Sequence, residues 1–344
     1  MHVLIIGAGA IGSLVGGKLA LAGHQVTLVG RPAYAQAVRQ RGLRLTEAGA
    51  TIIVPQATVH TSLSEAFAHG QHYNLACLTV KSYDTDTAAD ELAAATSAPP
   101  PVLTLQNGVG NEEKLAQRFT AAGVLSGAIT SPVEVLEPGA VAVTRAGRIG
   151  LAAVQPGGSL AGADSALREA GFGVTLYDDY RSLKWSKLLM NMMANATCAI
   201  LDWPPERVFA DRRLCALEVR ALREGLAVMR AQGIPLARVG GYPLPLLAPL
   251  LSGLPMALLQ PLLRRLAGKG RGGKMPSLHM DLSRGKGRSE VEVLNGAIAR
   301  AGAQFGVAVP VNCTLYRLLM GLTRGELAWD NFRGRPERLL AEVE

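Results

Sequence analysis

The chain opens on Val3-Leu4-Ile5-Ile6, a β-branched and aliphatic run, and passes at once into Gly7-Ala8-Gly9-Ala10-Ile11-Gly12. Four such residues without a polar break suit a parallel strand buried on both faces. Residues 13–22 then read as a helix that stops at Gly23. A strand, a GxGxxG turn and a helix in that order leave few folds open. Gly7 permits the tight turn, Gly9 lets backbone approach a pyrophosphate, and Gly12 lets the helix pack close to the strand. Gly7, Ala8, Gly9, Ala10, Ile11 and Gly12 are therefore read as the pyrophosphate cradle of a Rossmann-type α/β dinucleotide-binding domain.

The next strand, over residues 25–29, bears on which dinucleotide is held. NAD-specific domains usually end this strand on Asp or Glu, which grips the ribose 2′-hydroxyl. Here the chain reads Val29-Gly30-Arg31-Pro32. A carboxylate would repel a 2′-phosphate, whereas Arg31 can clamp one with two hydrogen bonds, so NADP(H) is the expected cofactor. The alternation then continues with a strand over 74–80 closing on Lys81, a helix over 85–95, a strand over 101–105 and a helix over 112–119. Lys81 and Asn107 fall at strand carboxyl ends, where open α/β sheets bind their ligands. Spacing alone leaves Lys81 between a phosphate contact and a plain strand-end charge, and Asn107-Gly108 between a ligand contact and a turn. Short strands over 124–130, 140–144 and 148–153, a helix over 160–170 and a strand over 174–177 complete this half. The junction at Asp178-Asp179-Tyr180 divides a nucleotide-binding domain of residues 1–178 from an all-helical domain of residues 179–344.

Within the helical half, the run WSKLLMNMMANATCAIL spaces Lys187, Asn191 and Asn195 four residues apart among Leu, Met and Ala. At 3.6 residues per turn, each such step overshoots a full turn by only about 40°, so in one helix the three groups share a face. Asn is a middling helix former, and a Lys set among Leu and Met needs a partner or a task. The expectation is a helix embedded in protein on most sides, its polar row lining a cleft. Further helices are expected over 212–232, near 239–266, over 290–305 and over 312–322.

Composition narrows the function classes. A chain of 344 residues exceeds what one core usually supports, and 49% hydrophobic residues supply two. The formal charge of +8 suits a small anionic ligand. Aromatics at 5% and the absence of a compact basic block argue against nucleic acid as a partner. Cys77, Cys198, Cys215 and Cys313 lie far apart with no metal-ligand spacing, which reads as buried thiols in a reducing, cytoplasmic setting with no metal. The first residues carry no basic stretch and no secretory leader is expected. Residues 239–263 lack any charge, but Pro243, Pro245, Pro249, Pro255 and Pro261 interrupt them, so short packed helices are expected rather than a membrane span. Their apolar surface is material that a homodimer would bury.

Taken together, several blocks resemble ketopantoate reductase, that is, 2-dehydropantoate 2-reductase. They are Met1 to Gly12, Arg31, Thr79-Val80-Lys81, Leu105-Gln106-Asn107-Gly108, Trp185-x-Lys187-Leu188-x-x-Asn191-x-x-x-Asn195, Pro276-Ser277-Leu278-x-x-Asp281 and Ser289-Glu290-Val291-Glu292-x-Leu294-Asn295-Gly296. The resemblance spans almost the whole chain in unbroken order. It implies a Rossmann domain followed by a helical domain like that of 6-phosphogluconate dehydrogenase. The implied activity is NADPH-dependent reduction of 2-dehydropantoate to (R)-pantoate, on the way to pantothenate and coenzyme A. Carried over, Lys187 resembles the general acid, and Glu290 the carboxylate that helps hold substrate and lies at the cofactor. Asn191, Asn195 and Ser277 resemble substrate contacts. Asn107 resembles the asparagine beside nicotinamide and substrate, while Arg31 and Lys81 resemble contacts to the NADPH phosphate and ribose. The segment 242–274 and the loop from Asp281 to Glu290 are longer than in the family pattern. A different 2-oxo acid as substrate, or an NADPH-binding protein without activity, are the alternative readings.

Overall fold

The computed structural model describes residues 1–54, 57–271 and 275–343, with the side chains at 69, 252 and 266–271 left aside. The chain divides into two compact units. The first comprises Met1–Gln106, Gly110–Lys184 and Val239–Tyr242, and the second Asn107–Val109, Trp185–Arg238 and Pro243–Glu344.

Unit 1 is an α/β layer. Its strands are β1 (His2–Ile6), β2 (Gln25–Val29), β3 (Leu43–Glu47), β4 (Ala50–Val54), β5 (Ala57–His60) and β6 (Leu75–Leu78), then β7 (Val102–Thr104), β8 (Val124–Ile129), β9 (Val133–Glu137), β10 (Ala140–Val143), β11 (Arg148–Ala153) and β12 (Gly173–Leu176). The main sheet runs β12-β11-β8-β7-β6-β1-β2-β5. Every neighbouring pair in it is parallel except β8 with β11. The expectation of buried strands is met side chain by side chain. Val3 and Ile5 enter one apolar cluster while Leu4 and Ile6 enter another, so β1 is covered on both faces. The helices of this unit are α1 (Ala10–Leu21), α2 (Pro32–Arg41), α3 (Leu63–Ala66), α4 (Thr85–Ala95), α5 (Asn111–Phe119) and α6 (Ala163–Glu169).

Of a second sheet, β4-β3-β10-β9, the sequence reading anticipated only one strand, over 140–144, which is β10. Helix α1 lies between the two sheets, and its glycines show why. A Cβ on Gly16 would press on Leu28 and Ile5 of the main sheet at 2.9 and 3.0 Å, and one on Gly17 would meet Leu45 and Leu43 of β3 at 2.7 and 3.1 Å. Small residues on both sides let one helix serve two sheets.

Unit 2 is helical, as expected: α7 (Tyr180–Met192, which begins in unit 1), α8 (Asn195–Leu201), α9 (Pro205–Ala210), α10 (Arg212–Ala231), α11 (Leu244–Gly253), α12 (Met256–Arg271), α13 (Ser277–Ser283), α14 (Asn295–Phe305), α15 (Pro310–Arg324) and α16 (Pro336–Ala341). Every residue of α8 is buried, and α13, α15 and α16 pack around it. Among the described residues no helix is long and apolar enough to cross a membrane.

Two helical expectations are corrected here. The stretch carrying Lys187, Asn191 and Asn195 is not one helix: it breaks between α7 and α8 at Ala194, which adopts the left-handed φ of 53°. No Gly or Pro marks the break. Its cause lies on α10, where buried Glu218 accepts the Ala194 N–H at 2.7 Å and the hydroxyl of Thr197. Likewise residues 290–305 are not a single helix. Glu290–Val293 form a separate 3-10 turn, capped by the Ser289 hydroxyl accepting from the Val291 N–H at 3.2 Å, before α14 begins at Asn295. The Pro-rich uncharged segment folds as α11 and α12, and residues 272–274 at its end lie outside those described.

Candidate active site

The Gly-rich turn closes between the ends of three strands. Gly7 holds φ at +100°, and the N–H groups of Gly7 and Ala8 both donate to the Val29 carbonyl, at 3.1 and 3.0 Å. The Thr79 hydroxyl donates to the Gly7 carbonyl at 2.7 Å, and a Cβ on Gly12 would collide with that same carbonyl and hydroxyl. These two glycines are required by the protein's own packing. Gly9 is different, because it is exposed and a Cβ there would meet nothing within 4 Å. The space over Gly9 faces the N-terminus of α1, a helix with no acidic residue in its first turn. Free N–H groups and the positive end of the helix dipole suit an anion there, so the turn fits a pyrophosphate.

Arg31 caps α2, with Pro32 in the first helical position. It is exposed, and its guanidinium has no hydrogen-bond or ion-pair partner among the described residues. Beside it, Tyr34 packs against Gly30, whose Cβ would meet the Tyr34 ring at 2.8 Å and Ala8 at 2.9 Å. The Tyr34 hydroxyl accepts from buried Ser13 at 3.0 Å, and burial pushes its phenol up to about 12. The neutral phenol thereby ties the start of α2 to the start of α1. Lys81 is half-buried just past β6, where it opens the 3-10 turn Ser82–Asp84. Gln106 braces this region from within, donating to the Val80 carbonyl at 3.0 Å and to Thr85 at 2.9 Å while accepting from Thr104 at 2.9 Å.

In unit 2 the structure joins four of the singled-out residues into one hydrogen-bonded chain. Asn191 Nδ2 donates to Asn107 Oδ1 at 3.0 Å, and Asn195 Nδ2 donates to the Asn191 carbonyl at 2.9 Å and to Ser277 Oγ at 3.5 Å. Asn195 Oδ1 in turn accepts the Leu278 N–H at 3.2 Å, which seats the first turn of α13. Asn107 reaches this chain because residues 107–109 dock on the turn that carries Glu290. Val109 N–H donates to the Val293 carbonyl at 3.3 Å, and Gly108, at φ +82°, has Val293 where a Cβ would stand. Lys187 is half-buried one turn before Asn191 on α7, and Glu290 is buried, 3% exposed.

Two charged groups escaped the sequence reading. Lys184, three residues before Lys187, is 2% exposed in unit 1; its Nζ lies 3.0 Å from Glu112 Oε1 and donates to the Gln106 carbonyl at 2.7 Å. Glu112 also accepts from the Ser126 hydroxyl at 2.8 Å. A buried charge in a short, hydrogen-bonded pair is held in place rather than offered to solvent. The available signal is a Lys flanked by Leu183 and Trp185, overshadowed by the row that begins at Lys187. The other is Glu218, whose role depends on a residue 24 positions away and leaves no local signal.

An α/β unit with an open glycine turn, followed by a helical unit bearing a Lys and a carboxamide chain, defines a nucleotide-dependent oxidoreductase fold. Comparison with known proteins specifies it. The family model "Ketopantoate reductase PanE/ApbA" matches residues 3–156, and "Ketopantoate reductase PanE/ApbA C terminal" matches residues 179–323. The chain is 30% identical to the 2-dehydropantoate 2-reductase of Pyrococcus horikoshii over 93% of its own length and 96% of that protein. The crystal structure of a PanE/ApbA family ketopantoate reductase from Ralstonia eutropha JMP134 superposes with a TM-score of 0.79 at 31% identity, covering 95% of this chain and 99% of that one. The chain belongs to the ketopantoate reductase family. Its fold is shared more widely: D-mandelate dehydrogenase, solved with NADH and anilino(oxo)acetate, gives a TM-score of 0.79 at 21% identity over 94% of this chain and 99% of the other.

Proposed function

We propose that this protein reduces 2-dehydropantoate to (R)-pantoate with NADPH. The observation that carries the reading is the Asn107, Asn191, Asn195 and Ser277 hydrogen-bond chain, with Lys187 one turn before Asn191 on the same helix. A 2-oxo acid with a neighbouring hydroxyl needs several fixed donors for its oxygens and one proton source, and this set provides both.

On the cofactor side, Gly7, Ala8, Gly9, Ala10, Ile11 and Gly12 would hold the pyrophosphate, Arg31 the 2′-phosphate, and Lys81, Asn107 and Glu290 further parts of the dinucleotide. Bound NADPH supplies the hydride that reaches the ketone carbon. Negative charge then grows on the carbonyl oxygen, where the Lys187 ammonium stabilises it and donates the proton that completes the alcohol. Asn191, Asn195 and Ser277 orient the substrate's oxygens. Asn107 is itself fixed by Asn191, and the Glu290 carboxylate holds the substrate hydroxyl.

The test is NADPH oxidation against 2-dehydropantoate and a panel of shorter and bulkier 2-oxo acids. 2-Dehydropantoate is expected to have the highest kcat/KM of the panel. A higher value for another 2-oxo acid would move the assignment to that substrate while leaving Lys187 as its acid. No turnover with any of them would leave a protein that only binds the nucleotide.

A further inference from the structure

The break between α7 and α8 stands where no sequence signal calls for one, and it costs something to hold. Ala194 sits at φ 53°, a left-handed conformation that strains any residue with a Cβ. It is fully buried, so its N–H has no access to water. Glu218, 2% exposed in the middle of α10, accepts this N–H at 2.7 Å and also takes the hydroxyl of Thr197, one turn into α8. A carboxylate is therefore placed at the opening of α8, where it holds both the strained residue and the helix that follows.

Asn195 is the residue directly after the break. In an unbroken helix its backbone N–H would satisfy the Asn191 carbonyl, and its side chain would only continue the row above Lys187 and Asn191. In the broken form the Asn195 carboxamide makes the Asn191 contact itself and also spans to Ser277 and the Leu278 N–H of α13. We infer that Glu218 is a positioning residue for substrate binding: by fixing the left-handed turn at Ala194, it aims the Asn195 carboxamide and through it seats Ser277. The inference rests on the proposed function, in which Asn195 and Ser277 contact the 2-oxo acid.

The experiment compares Glu218→Gln, Asn195→Ala, Ala194→Gly/Glu218→Gln and Glu218→Gln/Asn195→Ala, with KM for 2-dehydropantoate, KM for NADPH and kcat measured for each. Gln keeps the shape but can accept only one of the two hydrogen bonds. Glu218→Gln is expected to raise the substrate KM about tenfold, the scale of one buried charge-assisted bond, and to leave the NADPH KM within about twofold. In the Asn195→Ala background it should add nothing further, because its effect runs through that carboxamide. Glycine tolerates the left-handed turn without Glu218, so Ala194→Gly/Glu218→Gln should recover the wild-type substrate KM. A Glu218 that merely stabilised α10 would not be rescued in this way.

An unchanged substrate KM in Glu218→Gln alongside a raised one in Asn195→Ala overturns the inference and spares the site. Additive effects in Glu218→Gln/Asn195→Ala, or no recovery in Ala194→Gly/Glu218→Gln, also overturn it. If Asn195→Ala itself leaves the substrate KM unchanged, the reading of the site fails and the inference with it. Should Glu218→Gln alone not fold, the Ala194→Gly/Glu218→Gln protein decides: a folded enzyme with wild-type KM supports the role, and one that is unfolded or weak-binding overturns it.

Discussion

Asn191 donates a hydrogen bond from Nδ2 to Oδ1 of Asn107 at 3.0 Å, across 84 positions of sequence. Both residues lie in the second unit, Asn107 in a short loop and Asn191 on α7. If both carboxamides are held for substrate, their energies should not be independent. Asn107→Ala and Asn191→Ala are each expected to raise the substrate KM, and the double variant to fall short of the sum by about 0.5–3 kcal/mol, the range for contacting residues. A strictly additive cycle would show that this bond does no work in binding.

Lys187 is expected to act in the chemical step. Lys187→Ala should lower kcat for 2-dehydropantoate by about 10²–10⁴-fold, the usual worth of a positioned general acid, while NADPH still binds as judged by its fluorescence. A kcat within a few-fold of wild type would remove Lys187 from the mechanism.

Arg31 is expected to set the cofactor preference. Its guanidinium has no competing partner among the described residues, so reversing its charge should act on the nucleotide alone. Arg31→Asp is predicted to weaken NADPH by about 10–100-fold, the scale of a lost charged hydrogen-bond pair, with little change for NADH. Equal losses with both nucleotides would assign Arg31 no contact to the 2′-phosphate.

The buried pair of Lys184 and Glu112 makes a prediction about stability rather than activity. Removing one partner leaves the other charge buried without its countercharge. Lys184→Met should destabilise the fold by about 3–5 kcal/mol, and Lys184→Met with Glu112→Leu should regain most of that loss. Urea denaturation followed by circular dichroism measures both. A single variant as stable as wild type would mean that the pair is dispensable.

A single carboxylate on unit 2, Asp202, predicts acid sensitivity. Burial pushes Asp202 up, but hydrogen bonds from His279 Nε2 at 2.6 Å and Arg333 Nε at 2.7 Å outweigh it and hold the carboxyl below its ordinary value of 3.8. A folded value below the unfolded one contributes stability above pH 3.8, and that stability is lost as pH falls through the folded value. Asp202→Asn, which tolerates the φ of 54° at this position, should therefore flatten the fall in unfolding free energy below about pH 4. Identical acid profiles for variant and wild type would contradict this assignment.

Much of the first unit was legible because its signals are local. The strands Gln25–Val29 and Arg148–Ala153 and the helix Thr85–Ala95 stand at their expected limits, each set by an apolar run between turn residues. The second sheet was not legible, although its hairpin turn at Ala48 and Gly49, at φ 51° and 84°, is a local feature. What makes it a sheet is the parallel pairing of Leu43–Glu47 with Ala140–Val143, and no window of sequence holds both partners. In the second unit the polar row was visible as a row, but its shape was misread. Met193-Ala194-Asn195 contains only residues compatible with continued helix, and the break is imposed by Glu218 from another helix.

The sequence by itself determined the kinds of element, the glycine turn with its open Gly9, and the set of polar residues placed among apolar neighbours. Those follow from steric rules and periodicities that act over a few residues. Tertiary structure alone decided which of those polar groups meet. Asn107 reaches Asn191 because its loop docks on the Glu290 turn, and Asn195 reaches Ser277 because a buried carboxylate bends the chain just before it. Such contacts are fixed by the demand that every buried donor find an acceptor, and that demand is met only when the whole core closes.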